Sequence, residues 1–408
     1  MHVDIAIFGG GACGLWCLDE LVRQGYQAIL IERYSLGHGQ TISAQGIIHG
    51  GLKYTLRGLL TSSAKSIREM PGLWSRAYTG ETGPDLSHSE LRGESCYLWR
   101  TSDLSSALGM VGARLGLRVT PNRLSQQDRP ELLKTTPGDV FELPEQVISP
   151  RSFLHSLSET HSNRLFAIDE LPSFEQAESQ SPYQVTLRHS GESLTFQSDR
   201  LLFTAGAGNE VLRSQLGLGT GKMQLRPLHM VMMRGKLPIF QGHCVDGAQT
   251  RMTITSEQTS EGDVVWQLGG QLAENGVSMT SEELIVKAES ELKQVFPNVE
   301  WPEGLQMATY RVTRAEGITA TGVRPDQPVN LIEGRHFTSW PTKMAFAPRV
   351  AAEVCEYMQQ TPELTSSAPK QVTEQQWFRP PVSANVWEQA AEWTPVFTQA
   401  QQRSSNVA

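Results

Sequence analysis

The chain has 408 residues, 39% of them hydrophobic and 19% charged, with a formal net charge of −8. Its length can bury a large core over two or three domains, and its composition is that of an ordinary globular protein. The acidic balance argues against a broad nucleic-acid surface, and no apolar run reaches the roughly 18 residues a membrane helix needs. An apolar run begins almost at the N-terminus, leaving no room for a cleavable leader. The five cysteines, Cys13, Cys17, Cys96, Cys244 and Cys355, contain no C-x-x-C pair that would suggest a metal or redox dithiol. A reduced, cytoplasmic protein is expected.

Residues 4–32 carry the strongest signal. Asp4 to Phe8 reads as a strand, Ala12 to Gln24 as a helix stopped by Gly25, and Ala28 to Ile31 as a second strand ending at Glu32. Between the first two lie Gly9, Gly11 and Gly14 in G-x-G-x-x-G spacing, which with Ala12 and Cys13 makes a dinucleotide fingerprint. Gly9 allows the tight turn, Gly11 lets backbone amides approach a pyrophosphate, and Gly14 lets helix and strand pack closely. The helix N-terminus attracts the pyrophosphate, and Glu32, eighteen residues after Gly14, can accept from ribose hydroxyls. The fingerprint alone does not choose between NAD and FAD.

Further along, Tyr183 to Arg188 and Ser193 to Phe196 alternate with period two and read as a hairpin. It feeds a strand Arg200 to Phe203 that runs into Thr204-Ala205-Gly206, small residues that leave space for a ligand, before a helix Asn209 to Leu216. Leu228 to Arg234, Arg251 to Gln258 and Val264 to Ala273 read as antiparallel strands of a separate lobe. Thr280 to Glu283 makes a capping box for a helix with Leu284, Ala288, Leu292 and Val295 on one face. A last nucleotide-domain segment begins near Ile318 and ends in a helix Arg349 to Gln359. Beyond it, a polar tail carries Trp377, Trp387 and Trp393. Its short apolar face (Val386, Trp387, Ala390, Ala391) lies beside Glu388 and Glu392, which suits docking onto the body better than an anionic membrane.

Four features together resemble the D-amino-acid oxidase-like superfamily of FAD-dependent oxidoreductases. They are the fingerprint ending in Glu32-Arg33, the segment Thr41 to Leu52, the motif Phe203 to Gly208, and the pair Gly322-Val323-Arg324-Pro325 with Thr338 to Ala347. Within the superfamily, Ile47-Ile48-His49-Gly50-Gly51-Leu52-Lys53-Tyr54 is similar to segments of FAD-dependent glycerol-3-phosphate dehydrogenases and of L-2-hydroxyglutarate dehydrogenases. The resemblance implies an α/β fold. A discontinuous Rossmann-like FAD-binding domain (1–75, 146–225, 312–362) would carry an α+β substrate domain with an antiparallel sheet (76–145, 226–311) and a tail, 363–408. It also implies FAD contacts at Arg33, Thr41, Ser43, Gln45, Gly46, Thr204, Ala205, Gly206, Arg324, Lys343 and Met344.

The implied reaction oxidises a CH–OH group of a 2-hydroxy acid or polyol phosphate, with hydride passing to flavin N5. Electrons then go to a quinone, oxygen or a carrier. His49, beside the flavin in the resemblance, is the candidate base because imidazole titrates near working pH. The other readings of it are a structural histidine and a covalent flavin attachment point. Lys343 would balance charge on the reduced ring, a task the amides of Met344 and Ala345 could also perform. Arg251, Arg311 and Arg314 are candidate anchors for a carboxylate. Lys53, Tyr54 and His229 are candidates for the pocket wall. Alternatives are an amine or amino-acid oxidase of the same superfamily and a flavoprotein acting on or through a partner protein. No nucleic-acid partner and no transmembrane segment are expected, and peripheral membrane contact stays open.

Overall fold

The computed structural model describes residues 1–51, 67–101, 121–178, 181–246, 249–360 and 377–398. Lys53 and Tyr54 lie outside them. In chain order the first elements are β1 (His2–Phe8), α1 (Ala12–Arg23), β2 (Ala28–Glu32), α2 (Met70–Tyr78), β3 (Leu91–Gly93), β4 (Cys96–Trp99), β5 (Asn122–Arg123), β6 (Val140–Leu143) and β7 (Val147–Ile148). Then come α3 (Pro150–Thr160), β8 (Leu165–Ala167), β9 (Ser173–Glu175), β10 (Tyr183–His189), β11 (Glu192–Phe203), α4 (Asn209–Gln215), β12 (Met223–Gly235), β13 (Gly242–Asp246) and β14 (Gln249–Gln258). The last are β15 (Val264–Gly269), α5 (Gln271–Asn275), α6 (Ser281–Val295), β16 (Gln306–Gly317), β17 (Val329–Glu333), β18 (His336–Trp340), α7 (Ala347–Gln360) and β19 (Thr394–Pro395).

Two large sheets organise the chain. The first runs β17-β18-β11-β1-β2-β8 with β10 and β9 added beside β11, and β1 is parallel to both β2 and β11. Every residue of β1 is buried, as in a central parallel strand, with Ile5 to Phe8 apolar throughout. Asp4 accepts the N–H of Gln27 at 2.7 Å and closes the α1–β2 turn. Helix α1 buries Ala12, Leu15, Trp16 and Leu18 in the core it shares with α7. All five cysteines are buried thiols. A hydrogen bond with Cys13, and then burial, push the Cys17 thiol well up, as befits a packing residue.

The second sheet runs β19-β16-β12-β15-β14-β13-β4-β6-β5, antiparallel except where β13 meets β4. Helix α6 packs on it through Leu284, Ala288, Leu292 and Val295, all buried. Its capping box is complete, Thr280 bonding the Glu283 N–H and Glu283 the Thr280 N–H. Residues 312–317 continue β16 in this sheet.

Two sequence expectations change, and the docking expected of the tail takes a definite form. The hairpin strand and the strand before Thr204 are one, β11, which pairs with β10 at its start and with β1 from Gln197 onward. Its continuity through Ser198-Asp199-Arg200 is bought by burial with partners, including a 2.7 Å bond between Asp199 and His2. The strand from Val264 stops at Gly269 because Gly270, at φ 78°, turns the chain into α5. The tail docks on both sheets. Val382 bridges Leu36, Trp377 Nε1 donates to the Ala167 carbonyl at 2.9 Å, and β19 pairs with β16. Among the described residues no helix is long and apolar enough to cross a membrane.

Candidate active site

A cavity of about 1780 Å³ opens where the carboxyl ends of β1, β2 and β11 face the second sheet. That exceeds the roughly 300–1,000 Å³ of an ordinary ligand pocket, enough for a dinucleotide and a substrate together. Gly9, Gly11, Ala12, Cys13, Glu32, Arg33, Thr41, Ser43, Gln45, Gly46, Thr204, Ala205, Gly206, Arg324, Lys343 and Met344 all line it. Gly14 does not. A Cβ there would stand 2.0 Å from the Gly9 carbonyl oxygen, so its role is the close packing of α1.

The nucleotide end is built by backbone. Gly9 has φ +114°, and a Cβ on it would meet the Ala205 backbone at 2.5 Å. Thr204 pins this crossing by donating from Oγ1 to the Gly9 carbonyl at 3.0 Å. The Glu32 carboxylate accepts the Gly10 N–H at 2.7 Å and the Tyr34 N–H at 2.9 Å, one on each oxygen. A carboxylate has about four acceptor positions, so two remain for ribose hydroxyls. Gly11 stands at the N-cap of α1, Thr41 Oγ1 accepts the Ala12 N–H at 3.1 Å, and the rest of the first turn, with the helix dipole, lies at the cavity. The donor set therefore fits a dinucleotide pyrophosphate and ribose.

The other end is built by side chains from distant segments. His49 lines the cavity with its side chain 14% exposed. Its Nδ1 lies 3.2 Å from Glu145 Oε2, and the other Glu145 oxygen accepts the Gly50 N–H at 2.7 Å. His243, fully buried, brings Nε2 to 3.9 Å from the same carboxylate and its ring to 5.4 Å from that of His49. Gln45 donates to the carbonyls of Thr253 and Gln267, and the Tyr310 hydroxyl donates to the Ser43 carbonyl. Burial pushes the Tyr310 phenol up, so it stays a neutral donor.

Lys343 follows Thr342, which sits at φ +66°, a costly conformation for a β-branched residue. The turn is closed by the Lys343 N–H on the Pro341 carbonyl, and Trp74 Nε1 holds the loop at the Ala345 carbonyl at 3.0 Å. The Lys343 ammonium stands 5.2 Å from the centre of the Phe346 ring while lining the cavity.

Arg311 and Arg314 line the cavity from β16. Arg311 donates to the Val277 and Met279 carbonyls, and Arg314 lies 3.8 Å from Glu274. Arg251 is elsewhere, bound to Glu291 and Gln294 of α6, because Thr250 takes the cavity-facing place on β14. His229 also leaves the cavity. The alternation of β12 turns Leu228 and Met230 inward and sends His229 to the Gly276 carbonyl at 3.0 Å. Glu145, His243, Tyr310 and Gln267 escape sequence reasoning, since no motif marks them and each meets its partner only through folding.

A model of the DAO family, FAD dependent oxidoreductase, matches residues 4–347. The chain is 35% identical over 399 residues to a probable FAD-dependent oxidoreductase, PA4991, of Pseudomonas aeruginosa, covering 96% of this chain and 98% of that protein. The crystal structure of PA4991 superposes with a TM-score of 0.77 over 95% of this chain and 98% of that one. Glycine oxidase from Geobacillus kaustophilus shares the fold at 15% identity, with a TM-score of 0.62 over 91% and 98% of the two chains. A short match, 32% identical over 85 residues, links 21% of this chain to 12% of the mitochondrial glycerol-3-phosphate dehydrogenase of Mus musculus.

Proposed function

Because this chain belongs to the DAO family of FAD-dependent oxidoreductases, we propose that it oxidises a CH–OH group of a small anionic metabolite, a 2-hydroxy acid or a polyol phosphate. The observation that carries this reading is the wall of the cavity beyond the nucleotide cleft. There His49 shares one space with Arg311, Arg314 and Lys343. When bound, FAD supplies the two-electron acceptor for the hydride leaving the carbon.

The protein's own groups would supply the rest. The backbone amides at Gly11 and Cys13 would hold the pyrophosphate, and Glu32 would hold the ribose. The guanidinium groups of Arg311 and Arg314 orient a carboxylate or phosphate, whose two oxygens match the planar fork. His49 takes the hydroxyl proton as the C–H bond breaks. Lys343, with the amides of Met344 and Ala345, offsets negative charge that builds on the cofactor ring. The similarity of a short segment to glycerol-3-phosphate dehydrogenase supports a hydroxyl substrate.

The test is anaerobic bleaching of the flavin absorbance by L-2-hydroxyglutarate, L-lactate, glycerol-3-phosphate, glycine, sarcosine and D-alanine. Bleaching by a hydroxy acid or phosphate ester is expected, with the rate in His49→Gln reduced about 100-fold or more. Bleaching only by the amines would overturn the reading in favour of amine oxidation.

A further inference from the structure

We propose that Glu145 is a positioning residue for the His49 imidazole, holding its ring in one tautomer and stabilising the imidazolium that forms on proton uptake. This rests on the reading of His49 as the base. The argument starts from burial. Glu145 follows β6 in Glu142-Leu143-Pro144-Glu145, and its side chain is fully buried. A buried carboxylate persists only where donors and positive charge surround it.

Here both oxygens are engaged by a single turn of chain. Oε1 accepts the Gly50 N–H at 2.7 Å and Oε2 faces His49 Nδ1 at 3.2 Å. The carboxylate is therefore referenced to the backbone one residue beyond the imidazole it orients, which fixes the ring against the turn that carries it. An ionised carboxylate can only accept, so Nδ1 carries the proton and Nε2 becomes the nitrogen that accepts from a substrate. As Nε2 takes the hydroxyl proton, the ring becomes a cation beside a fixed negative charge in a poorly hydrated place, where the attraction is strongest.

His243 completes the arrangement. Its Nε2 lies 3.9 Å from Glu145 Oε2, and its Nδ1 is 2.9 Å from Thr253 Oγ1. Glu145 and His243 are both titratable groups placed against His49. The packed imidazole of His243 limits movement of the carboxylate, as second partners of catalytic histidines do elsewhere.

Glu145→Gln keeps the shape and can still accept from Gly50 while losing the charge. With the holoenzyme, we expect unchanged flavin content and spectrum. Turnover on glycerol-3-phosphate or L-2-hydroxyglutarate, whichever bleaches the flavin, should fall about 100-fold. The acid limb of the kcat/KM profile should move to lower pH. Glu145→Asp should recover part of the loss. Independently of turnover, 15N-histidine spectra of the holoenzyme, assigned by difference with His49→Gln, should show His49 protonated at Nδ1 and titrating lower in Glu145→Gln. A His49 protonated at Nε2, or a titration unmoved by Glu145→Gln, overturns the proposal. So does one equivalent of divalent metal in the purified protein that is lost on Glu145→Gln, because the carboxylate then serves a cation. If Glu145→Gln fails to fold, the wild-type spectra decide, a His49 protonated at Nε2 overturning the proposal. Wild-type turnover in His49→Gln would instead remove the base reading itself, an outcome distinct from the others.

Discussion

Gly11 and Gly14 stand three residues apart and meet different surfaces. A Cβ at Gly14 would come within 2.0 Å of the Gly9 carbonyl oxygen, backbone that cannot yield, whereas at Gly11 the nearest atom is Thr41 Oγ1 at 3.1 Å. Gly14→Ala should therefore push α1 off β1 and lower stability by about 2 kcal/mol or more, read by chemical denaturation. Gly11→Ala should fold normally and weaken FAD retention, read by flavin release on dilution, because its methyl enters the pyrophosphate space. Protonation adds a second residue-scale effect. Burial lowers the His336 pKa from its ordinary value despite the bond from Nδ1 to the Glu333 carbonyl, and burial likewise lowers that of His229 beside Arg311. The folded state thus binds fewer protons than the unfolded chain, whose histidines titrate near about 6.5. Stability contributed by these neutral rings is present above that pH and lost as pH falls through the folded values. Melting temperatures of wild type and His336→Gln at about pH 7.5 and 5.5 should show a smaller acid loss in the variant. An equal loss in both proteins would count against this account.

The elements that surround the cavity are held by neighbours remote in sequence. The loop Pro341-Thr342-Lys343 carries a positive φ at Thr342, and Trp74 of α2 pins it at Ala345. Such a conformation survives because the surroundings over-determine it. The segment 377–398 is equally dependent on context. It has little regular structure, yet Val386, Trp387, Val396 and Phe397 are buried, and Val386, Gln389, Ala390 and Ala391 form part of the cavity wall. Arg92 sits over the Trp387 ring at 5.5 Å and Arg234 over Trp393 at 4.2 Å. Trp387→Ala should cost about 3 kcal/mol in denaturant and loosen this wall, seen as faster flavin release. Unchanged stability and release would mean that the segment only drapes over the surface.

At the scale of the molecule, the cavity exists because two sheets of different kinds meet. The parallel sheet offers strand ends and a helix N-terminus, suited to a dinucleotide, and the antiparallel sheet offers β16 with its arginines. Gln45 joins them. Its amide leaves the nucleotide-side loop and donates to Thr253 on β14 and Gln267 on β15 at 3.1 and 2.9 Å. Gln267 in turn donates to the Tyr310 hydroxyl, which donates back to Ser43. Gln45→Ala removes two bonds at the junction and should cost about 1–3 kcal/mol, with weaker FAD binding as the sheets lose their register. A variant with wild-type stability and flavin affinity would place the coupling elsewhere.

The sequence by itself determined the nucleotide-binding unit, because its signals are short-range. Glycine spacing, an apolar run, a helix stop and Glu32 fall within 32 residues, and the observed β1, α1 and β2 depart from the expected bounds by no more than two residues. The capped helix α6 was legible for the same reason, a complete box with one apolar face. Strand partners and strand ends were not, since β11 joins two expected strands and Gly270 ends a third. The substrate side was legible only as residue types. His49 and the cavity-facing Arg311 and Arg314 could be named from the chain, but Arg251 and His229 were sent to the far faces of their strands by register. Only the tertiary structure decided what surrounds His49. Glu145 is 96 residues away along the chain, and Gln45 reaches Gln267 across 222. Such contacts are set by how the sheets pack, and no local pattern records them.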